Sequence, residues 1–376
     1  MTSTSCTLNF RHLPKFEWRL GVVTKRTYKV IDKKCVVANE QLPLMTVDEQ
    51  PEEGKSFSDK DAYGFKAMTD VVIHGYVYTP GVETTSLIAS VQIEDIVRNV
   101  RVYGNRQIQD VNGYYPYFSS PVPFSQMPLT YERSYGGFDE HAARILGDPV
   151  AEYAVKYGKV DFAEASNFTY PRNARGKGFF IALDPERVIG TAVPNLEDPE
   201  DPILPERIFC ERWENWIDSP IPGALDWMLP SDFPRCVHFN LLPDYLPAKR
   251  PIREITLGAL KTEDMQPREL LELPRAYAAN GAAPGLAKKR LKGNEVVRLV
   301  HLHYKFRELI FQLPGEQPRL KIQPPGCPKM ELEPLLDTIY IEPSYDRVSL
   351  VWSGSLSVAC RYPEHEFAQV GHEVVW

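Results

Sequence analysis

FKAMTDVVIHGYVYTP at residues 65–80 and SLIASVQI at residues 86–93 decide how this chain folds. Around residues 71–78 the first is a β-branched and aromatic run that stops at the turn signal Pro80-Gly81. The second alternates strictly, with Leu87, Ala89, Val91 and Ile93 on one face. Two such strands across a short glycine-containing loop predict a hairpin or meander.

The same period of two recurs on either side. RLGVVTKRTYKV at residues 19–30 sets Leu20, Val22, Tyr28 and Val30 on one face, with Thr24 and Arg26 interrupting it. IVRNVRVYG ends at Gly104-Asn105. Towards the C-terminus EVVRLVHLHY, FRELIFQLP, DTIYIEP and RVSLVWSGSLSVA are short β-branched or aromatic runs bounded by Pro, Gly or Asp. The prediction is a mainly β fold of antiparallel, sandwich-like sheets, one N-terminal and one C-terminal, with a few short helices.

The middle of the chain differs. Asp148-Pro149 followed by VAEYAVKYG carries an N-cap, a first-turn proline and a terminal glycine, so a short helix is expected at residues 149–157. Another is expected near residues 267–273. Residues 194–251 hold 11 prolines, too many for a regular sheet or helix. Trp213, Trp216, Trp227, Phe233 and Phe239 give that stretch enough apolar area to wrap over a neighbouring surface. Residues 16–361 are expected to form a single unit, divisible into packed sub-domains at 16–130 and 131–361, with 1–15 and 362–376 as terminal extensions.

Composition narrows the function classes. The 376 residues are 43% hydrophobic and 25% charged, ordinary for a globular protein, and 33 prolines with 19 tyrosines and 17 phenylalanines favour strands and rigid loops over helical bundles. MTSTSCTLNF has neither a basic n-region nor an apolar h-region, and no apolar run approaches the length of a membrane span. Cys6, Cys35, Cys210, Cys236, Cys327 and Cys360 form no CxxC pair, which predicts reduced thiols in a cytoplasm rather than disulfides or zinc. The net charge is −7, yet residues 249–329 carry 16 Lys and Arg against 8 Asp and Glu. The cluster AKKRLKGN at residues 287–294 sits among Ala, Gly and Pro without interleaved aromatics, so it reads as a solvated loop and not as a nucleic-acid site.

Chemistry-bearing patterns are few. There is no GxSxG. Cys236 and His238 read as a packed thiol beside a hydrogen-bonded histidine, and His301 and His303 as strand neighbours without further metal ligands. RGKGFF at residues 175–180 has glycines able to cradle an anion beside Arg175 and Lys177, but lacks the GxxxxGK[ST] of a P-loop. YERSYGG at residues 131–137 is the most specific run. Glu132, Arg133 and Asp139 resemble an acid/base group, but in a loop with three aromatics and two glycines they read as hydrogen-bonded pairs that lock it. Gly136 and Gly137 there permit positive φ or close backbone approach. No catalytic residue, metal or cofactor is assigned.

Seven segments in order, VVTKRTY (22–28), FKAMTDVVIHGYVYTP (65–80), VRVYGNR (100–106), MPLTYERSYGGFD (127–139), YPRNARGKGF (170–179), VPNLEDP (193–199) and LDTIYIEPSYDRVSLVWSG (336–354), resemble domain-of-unknown-function family 2169 over nearly the whole chain. The resemblance implies an adaptor or chaperone of bacterial type VI secretion that helps load a toxic effector onto the spike complex with its PAAR-type tip protein. It also marks Tyr131, Glu132, Arg133, Tyr135, Gly136, Gly137, Asp139, Asn173, Gly176, Gly178, Pro194 and Asn195 as family-motif positions, structural or partner-binding. The chain departs from the family pattern at Asn173-Ala174, where Asn-Pro is expected, and at DYLPAKRPI after the proline-rich segment. A loading chaperone needs an exposed groove or sheet edge with aromatic walls, for which Tyr131, Tyr135, Phe138, Trp213, Trp216 and Trp227 are the candidates, although each of them reads first as a core residue. The alternatives are an enzyme acting on an effector or small molecule through the 131–139 loop, and a toxin-neutralising immunity protein.

Overall fold

The structure is a computed structural model and describes residues 4–12, 17–46, 59–62, 66–79, 81–147, 168–211, 216, 218–229, 232 and 280–376. The helices expected at 149–157 and 267–273, the pair Cys236 and His238, and Trp213 lie outside those residues. Strands account for 45% of the described residues and helices for 9%, so the class is mainly β as expected.

Apart from a small C-terminal sheet of Met330–Leu332, Arg319–Gln323 and Gly371–Val375, the N-terminal and C-terminal strands are not segregated. They interleave in one curled sheet whose order is Leu196–Glu197, Ile96–Tyr103, Ser86–Ile93, Val296–Val300, Glu308–Gln312, Lys34–Val37, Glu17–Ile31, Arg347–Val358, Leu335–Glu342 and Asp70–Ile73, with Thr4–His12 also laid against Glu17–Ile31. Its pairings are antiparallel except Glu308–Gln312 on Lys34–Val37 and Leu335–Glu342 on Asp70–Ile73, which are parallel. The expected hairpin between residues 71–78 and 86–93 is absent. Gly75, at φ +153°, breaks the first run. Asp70–Ile73 then pairs with the C-terminal strand Leu335–Glu342, and Tyr76–Tyr78 with Gln126–Pro128. Ser86–Ile93 instead forms a hairpin with Ile96–Tyr103.

The strand Glu17–Ile31 explains its own interruption. Leu20 and Val22 enter a small core with Leu320, Ile322, Leu332 and Val370, whereas Tyr28 enters the large core with Val71, Ile339 and Trp352. Thr24 and Arg26 mark the passage from one core to the other. Both are buried, and Arg26 is satisfied by Glu316 at 2.7 Å and lies over the Trp376 ring at 4.3 Å. Residues 4–12 and 371–375, near the chain ends, are both in strands; the second pairs with Arg319–Gln323.

His301 and His303 are not strand neighbours. The strand ends at Val300, and His301 takes φ +61° so that its N–H can reach Arg307 O at 2.7 Å across a turn. Part of the proline-rich middle is described, and it crosses the core as an extended strap. Ala224 to Met228 are buried; Leu225 N–H donates to Leu129 O, Leu225 O accepts from Ile73 N–H, and Met228 N–H donates to Gly281 O. Backbone groups that proline leaves outside any ladder are satisfied in this way.

Candidate functional site

The YERSYGG loop is built by close backbone contact among three motifs. Tyr131–Arg133 makes a 3-10 turn, and Tyr135–Gly136 then pairs in parallel with Lys177–Gly178. Gly136 takes φ +148°, and a Cβ there would lie 2.2 Å from Asn173 O. A Cβ on Gly176 would meet Asn173 Nδ2 at 2.4 Å, and one on Gly178 the Pro194 ring at 2.9 Å. Only glycine allows these approaches. Asn173, fully buried, closes the loop by donating from Nδ2 to Tyr131 O at 2.8 Å and Tyr135 O at 3.0 Å.

Asp139 is committed to structure. Its carboxylate caps the helix Glu140–Leu146 by accepting from Ala142 N–H, accepts from Ile181 N–H at 2.8 Å, and takes both terminal nitrogens of Arg187. Four donors fill the four acceptor positions of a carboxylate, which leaves none for moving a proton. Glu132 is exposed and pairs across the loop with Arg175 at 3.0 Å. Arg133 was expected to join such a pair, but no carboxylate among the described residues lies within ion-pairing distance of it; its partner is Asn195 Oδ1 at 3.5 Å.

The candidate wall aromatics that the structure describes are mostly core, which is how each of them reads first. Tyr135, Tyr170, Phe179 and Trp216 pack edge-on or tilted, with centroids 5.2 to 6.4 Å apart. Tyr131 is buried against Ala224 and Met228, and burial pushes its hydroxyl pKa well above the ordinary value. Trp227 is buried and stacked on Tyr340. Phe138 is half-buried on the same core as Tyr135. None of these offers a partner an open wall. Exposed aromatics lie elsewhere: Tyr76, Tyr304, Phe306 and Tyr345 are scattered over the described surface, whereas Tyr114, Tyr115 and Tyr117 cluster on the hairpin of Arg106–Asn112 and Tyr115–Phe118. Their signal is NGYYPYF at residues 112–118: an Asn-Gly turn, then aromatics around Pro116, the residue that marks an edge strand.

Other motifs make a buried polar knot beneath the strap. Lys66 Nζ donates to Asp70 at 2.7 Å and to Thr338 Oγ1 at 3.0 Å, with both charged side chains wholly excluded from solvent. Asp70 also accepts from Asn280 Nδ2, Gly281 N–H and Ala282 N–H. Asp337, held by Arg290 at 2.7 Å, is raised by burial above the ordinary carboxylate range. With each charge paired and hydrogen-bonded, the knot reads as structural.

Basic side chains gather where the loop meets VPNLEDP. Asn195 is fully buried; its N–H donates to Arg133 O at 2.8 Å, and its Nδ2 to Tyr103 O and Asn105 Oδ1. Its Oδ1 is thereby turned to Lys177 Nζ at 2.8 Å and to Arg133. Arg106 is close by, paired with Glu197 at 2.5 Å and covered by the Tyr103 ring at 3.9 Å. Burial, then the Arg133 charge and the Arg106 charge, bring Lys177 down from 10.5 to about 8. Among the described residues, no group of three or more His, Cys, Asp or Glu side chains could hold a metal ion, and no helix is long and apolar enough to cross a membrane.

What fold and site define is a mainly β protein whose recurrent motifs interlock in a rigid junction. The chain belongs to the family described as "Uncharacterized protein conserved in bacteria (DUF2169)", whose model matches residues 16–353. No curated protein and no solved structure matches it.

Proposed function

We infer that the protein is an adaptor that binds a type VI secretion effector in the cytoplasm and helps load it onto a spike or PAAR-type tip protein. The observation that carries a binding role is the tyrosine hairpin. Tyr115 and Tyr117 are 61% and 55% exposed on a short strand that, among the described residues, ladders with Arg106–Asn112 alone. Pro116 has no N–H to offer an added strand, so the tyrosine side chains are what such an edge presents, and tyrosine supplies contact area at low entropic cost. Asp139, the buried motif carboxylate, is saturated by structural donors, which favours binding over acid/base catalysis. The secretion context comes from the resemblance of the seven motifs.

The test is co-purification of the full chain with the effector and the spike protein encoded beside it. Capture of either, lost on Tyr115→Ser with Tyr117→Ser while the melting temperature holds, is the expected result. Binding to neither, with effector secretion unchanged on deletion, would sink the adaptor reading.

A further inference from the structure

We propose that Arg133 and Lys177, set side by side on the Asn195 carboxamide, form a binding site for a single oxyanion, a carboxylate or a phosphate. The site is distinct from the tyrosine hairpin's role in partner capture and does not rest on it.

Charge balance is the first argument. Arg106, Arg133 and Lys177 converge, and the carboxylate there, Glu197, is taken up by Arg106 and by Ile203 N–H. Lys177 and Arg133 share a neutral amide oxygen and no carboxylate among the described residues. Two like charges held together without a counter-ion are unfavourable, and an oxyanion between them removes that repulsion while accepting charge-assisted hydrogen bonds. Arg106, whose charge Glu197 balances, leaves its Nε without an acceptor.

Geometry is the second. Arg133 and Lys177 are both half-buried, so a small ion can reach them from solvent and still be partly desolvated. Their backbones are fixed: Lys177 N–H donates to Ser134 O, Asn195 N–H to Arg133 O, and Tyr103 N–H to Asn195 O. Side chains on fixed backbone lose little freedom on binding, which is what a built site requires. The low Lys177 pKa fits a cation whose counter-charge is supplied from outside.

The experiment measures the rate of reductive methylation of each lysine in the full-length protein at pH 8. Sodium phosphate or N-acetylglycine is added at constant ionic strength, with sodium chloride as reference. An oxyanion that raises Lys177 by about one pKa unit leaves roughly a tenth of its amine unprotonated in place of a half, so labelling slows about fivefold. Exposed Lys288 should not respond. Slowing by phosphate alone assigns a phosphate ligand, and slowing by N-acetylglycine alone a carboxylate. Slowing by neither, or equally by chloride, overturns the proposal. Arg133→Gln, whose side chain contributes one long hydrogen bond to the fold, should abolish the anion effect; persistence of the effect in that variant overturns the site as assigned.

Discussion

Asn195 accepts from Lys177 Nζ at 2.8 Å through the side-chain oxygen of a residue whose own N–H is donated to Arg133 O. One buried amide thus holds a lysine beside an arginine in a place that gives the lysine no carboxylate among the described residues. Lys177→Met should therefore leave stability at pH 7 equal or higher, because it removes a half-buried cation facing Arg133 and Arg106 and sacrifices only the Asn195 bond. The pH dependence has a definite sign. Between about 8 and the ordinary 10.5 the unfolded chain still holds the proton that folded Lys177 has released, so wild-type stability gains a rising component across that window. Urea unfolding from pH 7.5 to 10.5 should show that component in the wild type and its loss in Lys177→Met; a variant less stable at pH 7 would assign Lys177 a structural role.

Gly136 and Gly190 separate steric contact from backbone strain. Both have positive φ, +148° and +83°, but a Cβ on Gly136 would strike Asn173 O at 2.2 Å whereas one on Gly190 would meet nothing within 4 Å. Gly190→Ala should cost about 1 to 2 kcal/mol. Gly136→Ala should cost more than about 4 kcal/mol, or prevent folding, because the obstacle is backbone in a closed loop. Equal losses in thermal unfolding would show that the 136–173 contact relaxes freely.

The two motif carboxylates should behave oppositely. Asp139→Asn strands a guanidinium that is 12% exposed and should cost about 3 kcal/mol, the penalty for breaking a buried pair. Glu132→Gln removes an exposed partner of Arg175 and should cost under about 1 kcal/mol. An assay in which Glu132→Gln abolished an activity at unchanged stability would favour the enzyme alternative.

Strand positions were legible in the sequence where period two persisted, and partners were not. Val71 to Ile73 read as a strand, but its neighbour is Thr338 to Ile341, more than 260 residues away, which no local pattern encodes. The interruption at Thr24 and Arg26 was visible, while its meaning, a strand passing between two cores, needed the fold. The YERSYGG run announced a special loop through its glycines, yet the backbone that requires them belongs to Asn173 and Gly176. Large aromatics marked either core or partner surface. Burial assigned Tyr135 and Trp216 to core and left exposed the tyrosines beside Pro116, in a run too short to show a face.

His74 and Asp226, 2.9 Å apart, pin the proline-rich strap to the large sheet and should make that attachment depend on pH. Burial lowers the His74 pKa, but the Asp226 hydrogen bond, the Asp226 charge and Glu342 together outweigh burial and the opposing Arg347, so the net shift is upward. A raised folded-state value means the protonated pair stabilises the protein fully below the ordinary 6.5, and that contribution is lost as pH rises through the folded value. His301 and His372 are both lowered, so their contributions change below 6.5 and do not mask the loss above it. Hydrogen exchange reads the strap directly, because Leu225 N–H is bonded to Leu129 O and Ile73 N–H to Leu225 O. After correction for intrinsic exchange, protection of both amides should fall as pH rises above 6.5 in the wild type and stay flat in His74→Gln. Parallel profiles in the two proteins would mean that the strap is held by its backbone bonds alone.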